Sequence, residues 1–460
     1  MNARHVLYWF DVEDPTLTQS DDAAKRLCQI LTKHGVRGTM KLVGQKVRLL
    51  RERVRYDVSD ALGLHAIGYH TDWHGLRPQP VEYMGPLDYL QGQAEFERRE
   101  RRGLDEIMDM WGVTPVCYGQ PGSNWSPQVF PVLRKWGIPT YVSGFGCVGL
   151  NAQPFYYGGI INTSHLYGSD EQGREVRHAF GLNFELGTPG ALETHQRLFT
   201  ESYERLEQGG LISIMNHPCT LVMYEWFSTD MKTIEEREAA YQHFEQFIEW
   251  VNGHEAVRTV TADELPALYP DRAQGRTFSR EELLTLAEGV GDIVYFQRLG
   301  DVTISAAELM GMFAAFLSGF VSGTSPARAE WRYLDGPVSR PAGEGGAVAL
   351  TADELAALVP PLDREMQGYR RLPVVAAEGI ALEQGLVALA QAVVSVIKQG
   401  RLPGEVRVGP VENRLREHVD VAAYESSCNN VMMRPGFTAP KLLEQAYLQA
   451  WTLKPAVLAR

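Results

Sequence analysis

The sequence predicts an α/β fold with a largely parallel sheet over residues 1–268. Short apolar runs alternate there with longer amphipathic stretches, which is the pattern of repeated β/α units. Roughly seven or eight such units in about 265 residues are typical of a (β/α) barrel or a broken relative of one. Asp11, His70 and His217 each follow directly on a predicted strand. These three side chains should therefore meet at one end of the sheet.

The predicted elements follow one another in a regular order. Residues 6–10 form the first predicted strand, and residues 21–34 carry apolar side chains at helical spacing until Gly35 ends the helix. Further strands are predicted over 38–43, 65–69, 115–118, 211–215 and 257–260, and further helices over 94–111, 129–136 and 244–251. The mostly apolar run 211–215 is typical of a strand that is buried on both faces, which favours a parallel sheet.

The sequence over 275–460 predicts a smaller, mainly helical α+β region. A stretch rich in proline and glycine at 322–346 indicates a loop or linker. Helical apolar patterns recur at 280–286, 306–316, 352–358, 382–397 and 441–451. The segments 298–304 and 401–408 resemble each other, so two divergent repeats are left open. We therefore predict a catalytic domain over 1–268 and an accessory domain of unknown role over 275–460.

Composition and charge limit the classes of function. The 460 residues are 44% hydrophobic and 22% charged, as in an ordinary soluble globular protein. The formal net charge of -13 disfavours nucleic acid or an anionic membrane as a partner. No apolar run approaches the roughly 20 residues that span a bilayer, and the first residues lead into the first strand without a signal peptide. We expect a cytoplasmic protein with no membrane partner.

Two histidines four residues apart are the strongest chemical signal. His70 and His74 follow the predicted strand 65–69, and at this spacing two neutral imidazoles can reach one divalent ion. An acidic cluster that begins at Asp11 follows the first strand and supplies carboxylates. Two histidines and one carboxylate are the ligand set of a catalytic metal site that keeps a position open for water.

Several motifs occur in an order shared with a known family. They are Phe10-Asp11-Val12-Glu13-Asp14, the strand from Gly38 to Gly44, the segment from His65 to His74, Tyr118-Gly119-Gln120-Pro121-Gly122, the segment from Ser213 to Pro218, and the strand from Val257 to Thr261. In this order the chain resembles the polysaccharide deacetylase superfamily, the carbohydrate esterase family 4 domain, over residues 1–268 only. The resemblance implies a distorted (β/α) barrel that binds one divalent metal ion and hydrolyses the acetyl group of an N-acetylated sugar or glycan.

The resemblance also implies metal ligands. His70 and His74 would bind the ion together with one carboxylate, either Glu13 or Asp14. Alternation along the strand puts Glu13 on the same side as Asp11, whereas a chain that already turns after the strand would present Asp14. Zinc is the expected ion, and cobalt, nickel or manganese would accept the same ligands.

Acid–base roles follow from the same resemblance. Asp11 would be the general base that takes a proton from water, and a cationic His217 would be the general acid that returns one to the departing amine. Thr71 is expected to support the histidines through a hydrogen bond to the backbone of their loop. His165 and His178 lie in a polar, glycine-rich stretch and are expected at the surface.

Three residues are expected to contact the substrate: Gln120, Pro121 and Trp125. Gln120 stands where the family carries an arginine that orients the catalytic aspartate. Without that charge we expect Asp11 to be held more loosely.

Three functions remain open at this point. The first is a metal-dependent deacetylase whose partner is an N-acetylated sugar or glycan, with a homo-oligomer left open. The second is an allantoinase-like hydrolase of cyclic amides or ureides, because relatives of this fold open such rings. The third is a non-catalytic glycan-binding protein on a decayed esterase scaffold, which the glutamine at position 120 would explain.

Overall fold

The structure of the protein is a computed structural model. It describes residues 3–459 except 123, 145, 151–152, 164–167, 170–174, 177–178, 207–209, 227, 325, 341–345 and 429–431. His165 and His178, which were predicted at the surface, lie outside the described residues. Every helix in the described part of the chain is too short or too polar to cross a lipid bilayer.

The first part of the chain alternates strands with helices, as predicted. Its strands are β1 (Arg4–Val12), β2 (Thr39–Leu42), β3 (Ala66–Tyr69), β4 (Thr140–Tyr141), β5 (Phe155–Tyr157), β6 (Ile160–Asn162), β7 (Gly168–Ser169), β8 (Glu175–Val176), β9 (Ala179–Gly181), β10 (Leu211–Asn216) and β11 (Val257–Val260). Its helices are α1 (Thr18–Lys33), α2 (Gly44–Glu52), α3 (Tyr56–Gly63), α4 (Pro80–Met84), α5 (Tyr89–Trp111), α6 (Val129–Trp136), α7 (Ala191–Arg205), α8 (Ile234–Asn252) and α9 (Leu265–Leu268).

A parallel sheet with the order β3-β2-β1-β10-β9 runs through this part. Its central strand is β1, which pairs with β10 along one edge, while β11 and β2 share the other edge. Tyr118 extends the sheet by bridging Tyr69 of β3 and Tyr141 of β4, and β4 pairs in parallel with β6. The strand predicted at 115–118 is thus reduced to one bridging residue, Tyr118, and Pro115 has no N–H for a ladder. Closure of the sheet into a barrel stays a prediction.

The alternation of side chains along β1 sets the position of the functional residues. Tyr8 and Phe10 face the large cluster that packs against the outer helices. Leu7 and Trp9 face the other side and belong to a second apolar cluster. Because successive side chains of a strand point to opposite faces, Asp11 follows on the side of Trp9. The polar end of β1 therefore emerges on the inner face of the sheet.

The second part of the chain is mainly helical, with short two-stranded sheets. Its strands are β12 (Thr277–Ser279), β13 (Ile293–Val294), β14 (Gln297–Leu299), β15 (Val302–Ile304), β16 (Arg328–Glu330), β17 (Val348–Thr351), β18 (Glu405–Val408), β19 (Glu412–Asn413) and β20 (Lys454–Pro455). Its helices are α10 (Arg280–Val290), α11 (Ala306–Val321), α12 (Ala352–Tyr369), α13 (Leu382–Gln399), α14 (Val421–Cys428) and α15 (Pro440–Gln449).

Two units of similar element order occur in this second part. In the first, β12 and α10 precede the β14–β15 hairpin, α11 and β16, and β12 pairs antiparallel with β16. In the second, β17 and α12 precede a bridge between Ala377 and Ile380, then α13 and β18, and β17 pairs antiparallel with β18. The similar segments 298–304 and 401–408 are not equivalent in these units, because one is the hairpin and the other the closing strand.

The end of the chain returns to the first part. β20 pairs antiparallel with β5. The buried ammonium of Lys454 lies 2.8 Å from a carboxylate oxygen of Asp271 and 2.7 Å from one of Glu308. These contacts tie the last residues to both parts, and the domain boundary between 268 and 275 stays a prediction.

Candidate metal and catalytic site

Polar side chains from the ends of three strands meet in one buried cluster. Asp11 lies near the end of β1 and Glu13 directly follows that strand. His70 and His74 lie in the loop after β3 (the histidine loop, 70–74), and His217 follows β10. Ligand atoms of Glu13, His70 and His74 all lie within 4.8 Å of one another, and the same is true of Asp11, Glu13 and His217. The structure therefore brings together five of the residues that the sequence selected.

The ring of His70 is oriented by the backbone. Its Nδ1 lies 2.7 Å from the carbonyl oxygen of Gly119. A carbonyl can only accept, so Nδ1 carries the hydrogen and Nε2 is left as an acceptor. This Nε2 lies 3.2 Å from Glu13 Oε2, and Nε2 of His74 lies 3.1 Å from the same oxygen. An imidazole acceptor that faces a carboxylate oxygen needs a cation or a proton between them.

Glu13, His70 and His74 fit a divalent metal ion. Burial, followed by the neighbouring charge of Asp11, raises the pKa of Glu13 well above its usual range. Burial is also the main reason why the pKa values of His70 and His74 are well below the usual value. The imidazoles are thus neutral, as metal ligands must be, and a cation would remove the cost of an ionised Glu13. The donor set suits zinc and also accepts cobalt, nickel or manganese.

Asp14 does not join this cluster. Its carboxylate accepts hydrogen bonds from the backbone N–H groups of Thr16, at 3.0 Å, and Leu17, at 3.1 Å, just before α1. Its backbone carbonyl accepts a hydrogen bond of 2.6 Å from the buried Lys46 ammonium. Of the two carboxylates that the sequence left open, the structure turns Glu13 toward the histidines and Asp14 toward the helix. Regular strand alternation up to Val12 explains this result.

Lys41 is a partner of Asp11 that the sequence did not predict. Its Nζ lies 2.8 Å from Asp11 Oδ1, and both side chains are buried. The register of β1 and β2 places the two residues side by side. The ammonium also lies 4.0 Å from the centre of the Trp9 ring and donates to the Val142 carbonyl at 3.1 Å. The expected loosening of Asp11 by Gln120 is therefore wrong, because the neighbouring strand supplies the orienting charge.

His217 faces the cluster with one nitrogen and Asn183 with the other. Its Nδ1 lies 3.1 Å from Asn183 Oδ1, so Nδ1 carries the hydrogen. Its Nε2 lies 3.5 Å from Asp11 Oδ2 and 4.0 Å from Glu13 Oε1. Burial lowers the pKa of His217 to about 4, although Asp11 opposes the shift. The structure thus holds a neutral imidazole where the sequence analysis expected a cation.

The histidine loop is held by a buried carboxylate. Glu100 on α5 accepts hydrogen bonds at Oε2 from the Tyr69 hydroxyl at 2.7 Å, the Thr71 hydroxyl at 2.9 Å and the Asp72 N–H at 2.7 Å. Thr71 was predicted to hydrogen-bond the backbone of the loop. Its hydroxyl instead donates to the side chain of Glu100. Its backbone has φ 114°, which a β-branched residue rarely adopts. Glu100 accepts a fourth hydrogen bond, at Oε1, from the Tyr83 hydroxyl on α4.

A cleft of about 480 Å³ opens above the cluster. Its polar walls include Gln120, Ser143 and Asn183, and its apolar walls are Trp9, Met215, Trp226 and Met432. Gln120 was expected to contact the substrate, and its side chain lines this cleft.

The other two predicted substrate contacts lie elsewhere. Trp125 is only 3% exposed, and its ring packs against Phe130 and Tyr157. It is a core residue and does not line the cleft, because its ring is enclosed by other aromatic side chains of the core. Pro121 does not line the cleft, and its carbonyl accepts a hydrogen bond from the side chain of Asn124 within a local turn. Two other tryptophans line the cleft: Trp9, and Trp226, which is 41% exposed and has its ring 4.7 Å from the His217 ring.

No family model matches the chain, and no curated protein matches it. Several solved structures are similar to part of it. A putative polysaccharide deacetylase from Mycobacterium smegmatis is 17% identical, with a TM-score of 0.40, and the match covers 58% of this chain and 90% of that one. A 4-alpha-glucanotransferase from Thermococcus litoralis is 12% identical, with a TM-score of 0.41, over 63% of this chain and 46% of that one.

A family 4 carbohydrate esterase from Streptomyces lividans is 16% identical, with a TM-score of 0.30, over 56% of this chain and 92% of that one. A family 4 pseudoenzyme from Bacillus anthracis is also similar, at 13% identity and a TM-score of 0.31, over 56% of this chain and 64% of that one. These matches cover between 56% and 63% of this chain. At these identities and TM-scores they do not assign a reaction, which has to follow from the side chains of the site.

Proposed function

We propose that the protein is a metal-dependent hydrolase that removes the acetyl group from an N-acetylated sugar. The observation that carries this proposal is the convergence of the His70, His74 and Glu13 ligand atoms at the base of the cleft. A proton acceptor, Asp11, and a second imidazole, His217, lie on the cleft side of that cluster. Hydrolysis of an amide needs an electrophile activator, a base and a proton donor to nitrogen, and the cluster supplies residues for all three.

Glu13, His70 and His74 would hold the metal ion. When bound, a divalent ion supplies polarisation of the amide carbonyl and acidifies water. The carbonyl of Gly119 keeps the Nε2 lone pair of His70 directed at the cluster. Glu100 fixes the loop on which both histidines lie, so the ligand atoms are positioned before any ion arrives.

Asp11 is placed to take the proton of the attacking water. Lys41 fixes one of its oxygens at 2.8 Å, and the other, Oδ2, points to His217 Nε2 at 3.5 Å. The neutral His217 can accept that proton at Nε2 while Asn183 holds Nδ1–H. His217 then delivers the proton to the amine as the carbon–nitrogen bond breaks. One proton thus moves from water to nitrogen, and the products are acetic acid and a free amine, which ionise to acetate and an ammonium group.

Two rival functions use parts of the same evidence. A cyclic amide or ureide would be hydrolysed by the same groups, and the cleft volume of about 480 Å³ suits such a small ring. The reading as a decayed glycan-binding scaffold rested on the glutamine at position 120, and the Lys41–Asp11 ion pair removes that reason. A panel of N-acetylated sugars and cyclic amides separates the two hydrolases.

The test is acetate release from N-acetylglucosamine and its short oligomers by the zinc-loaded full chain. We expect Asp11→Asn to abolish release and Asp14→Asn to retain it, because only Asp11 faces the cleft. Acetate release that persists in Asp11→Asn would overturn the assignment of the base. Ring opening of cyclic amides without acetate release would favour the second hydrolase.

A further inference from the structure

Met432 is a wall of the cleft that comes from the far end of the chain. It lines the same cavity as Asp11, His74 and His217. Its carbonyl oxygen accepts a hydrogen bond of 3.1 Å from Arg77, which lies 355 residues earlier and just beyond the histidine loop. The second part of the molecule therefore takes part in the site and is not a separate appendage.

The segment that carries Met432 is firmly attached beside the histidine loop. Arg77 also donates to the carbonyl of Met433. Glu82 on α4 accepts a 2.8 Å hydrogen bond from the backbone N–H of Arg434. Below these bonds, Met433 and Phe437 pack against Val81 in a small apolar cluster. Packing and hydrogen bonds together hold the backbone at Met432 in place beside the histidine loop.

The position of this wall limits the size of the substrate. A cleft of about 480 Å³ lies in the range of sites that bury a single small molecule. A long glycan bound through an internal unit has to leave such a site on two sides. The Met432 side chain lines one side of the cleft, where it would stand in the path of a continuing chain and would offer the methyl group or the ring face of a short ligand a contact.

We propose that Met432 determines substrate size, so that the site takes a short N-acetylated sugar, or the end of a chain, and excludes internal units of a long glycan. This inference rests on the proposed function and names the substrate class of the same site. Met432 belongs to the second part of the chain, which thereby has a role in recognition.

The experiment compares N-acetylglucosamine dimer and hexamer as substrates of the zinc-loaded full chain. We expect wild type to prefer the dimer, and to remove acetyl groups from the hexamer only at an end unit, as read by mass spectrometry of the products. Met432→Ala should raise kcat/KM for the hexamer relative to the dimer by about fivefold or more. Met110→Ala is the matched control, because Met110 lies on α5 at a separate surface depression, and it should leave the ratio unchanged.

The outcomes separate the two proposals. Internal deacetylation of the hexamer by wild type, or an unchanged ratio in Met432→Ala, would overturn the inference and leave the deacetylase proposal intact. If no substrate yields acetate, the deacetylase proposal fails, and tryptophan fluorescence then measures binding of the dimer and hexamer. A dimer preference that Met432→Ala removes would support the size limit. Equal binding of both sugars, or no binding of either, would overturn it.

Discussion

Two pairs of buried histidines in the first part of the molecule are connected in different ways. In one pair, His243 Nδ1 accepts from the Gly187 N–H at 3.1 Å, and His243 Nε2 lies 3.1 Å from His195 Nδ1. His195 Nε2 in turn lies 3.0 Å from Glu185 Oε1. Starting from the backbone donor, a donor faces an acceptor at every step, so this chain of groups is satisfied without any ligand.

In the other pair, His70 interrupts this alternation. His70 gives its only hydrogen to the Gly119 carbonyl, and its Nε2 faces Glu13 Oε2, another acceptor. His74 Nε2 points to the same oxygen. The comparison teaches that a histidine pair is a ligand site when acceptor atoms converge on one point. It is a structural link when donors and acceptors alternate.

We call His195 and His243 the linked pair, and His70 and His74 the converging pair. The linked pair supports the site indirectly, through Glu185 and Asn183. Glu185 Oε1 accepts the backbone N–H of Asn183 at 2.7 Å as well as the His195 ring. Asn183 in turn holds Nδ1 of His217. We therefore assign the linked pair a positioning role, and the converging pair the binding of the ion.

The largest effect is expected when the carboxylate that contacts each histidine pair is replaced by an amide. Glu13→Gln should lower metal content from about one ion per chain to near zero and reduce acetate release by more than about 100-fold, since even changes that only orient ligands cost 10–100-fold. Glu185→Gln should keep the metal and lose less than about tenfold in kcat. Equal metal loss in both variants would show that the two pairs do not differ.

The next test removes the charge that fixes the base. Lys41→Met should lower kcat by about 100-fold, the lower range for loss of a positioned base, while metal content stays near wild type. Arginine introduced at position 120 in that variant should restore part of kcat, since the cleft wall can supply the same charge. An unchanged kcat in Lys41→Met would contradict the role of the ion pair.

A smaller effect on zinc affinity is expected when the hydrogen bonds that hold the histidine loop are weakened. Glu100→Gln removes the charge that four donors share and should weaken zinc binding by about 10–100-fold. The matched control is Glu97→Gln, because Glu97 lies on the same helix and its carboxylate forms a surface ion pair with Lys135. Zinc titration by calorimetry reads both. Equal zinc affinity in the two variants would contradict a positioning role for Glu100.

The smallest effect concerns the linked pair and pH. Burial, together with the charge of His195 and against that of Glu185, lowers the pKa of His243 to about 4 from the ordinary 6.5. Between these two values the unfolded chain binds a proton that the folded chain does not, so stability falls as pH drops from 6.5 toward 4. The loss should be about 1–2 kcal/mol after solvent screening.

Urea unfolding at pH 7 and pH 4.5 measures this loss. His243→Gln should show a smaller decrease between the two pH values than wild type. A decrease as large in the variant as in wild type would place the acid sensitivity in other groups.

Local patterns predicted a large part of the fold and of the site. The alternation of β1 placed Asp11 and Glu13 on one face, and the loop after β3 was readable from the spacing of His70 and His74. Both signals arise from residues that are near in sequence, where strand and loop geometry is strongly restricted.

The remaining features depend on contacts between distant residues. Lys41 meets Asp11 only through the register of two strands, and Glu100 reaches Thr71 across 29 positions. The contact of Arg77 with Met432 spans 355 positions. Contacts between such distant residues leave no periodic pattern in the sequence. Trp125 was misassigned for the same reason, since only tertiary packing decides whether a tryptophan faces the core or the cleft.

The most direct measurement is the metal content of wild type, His70→Ala and His195→Ala after zinc loading and dialysis. About one zinc per chain in wild type and in His195→Ala, with nearly none in His70→Ala, is the expected result. It would establish that converging acceptors, and not buried histidines in general, bind the ion. Zinc retained by His70→Ala, or absent from wild type, would contradict the assignment of the site.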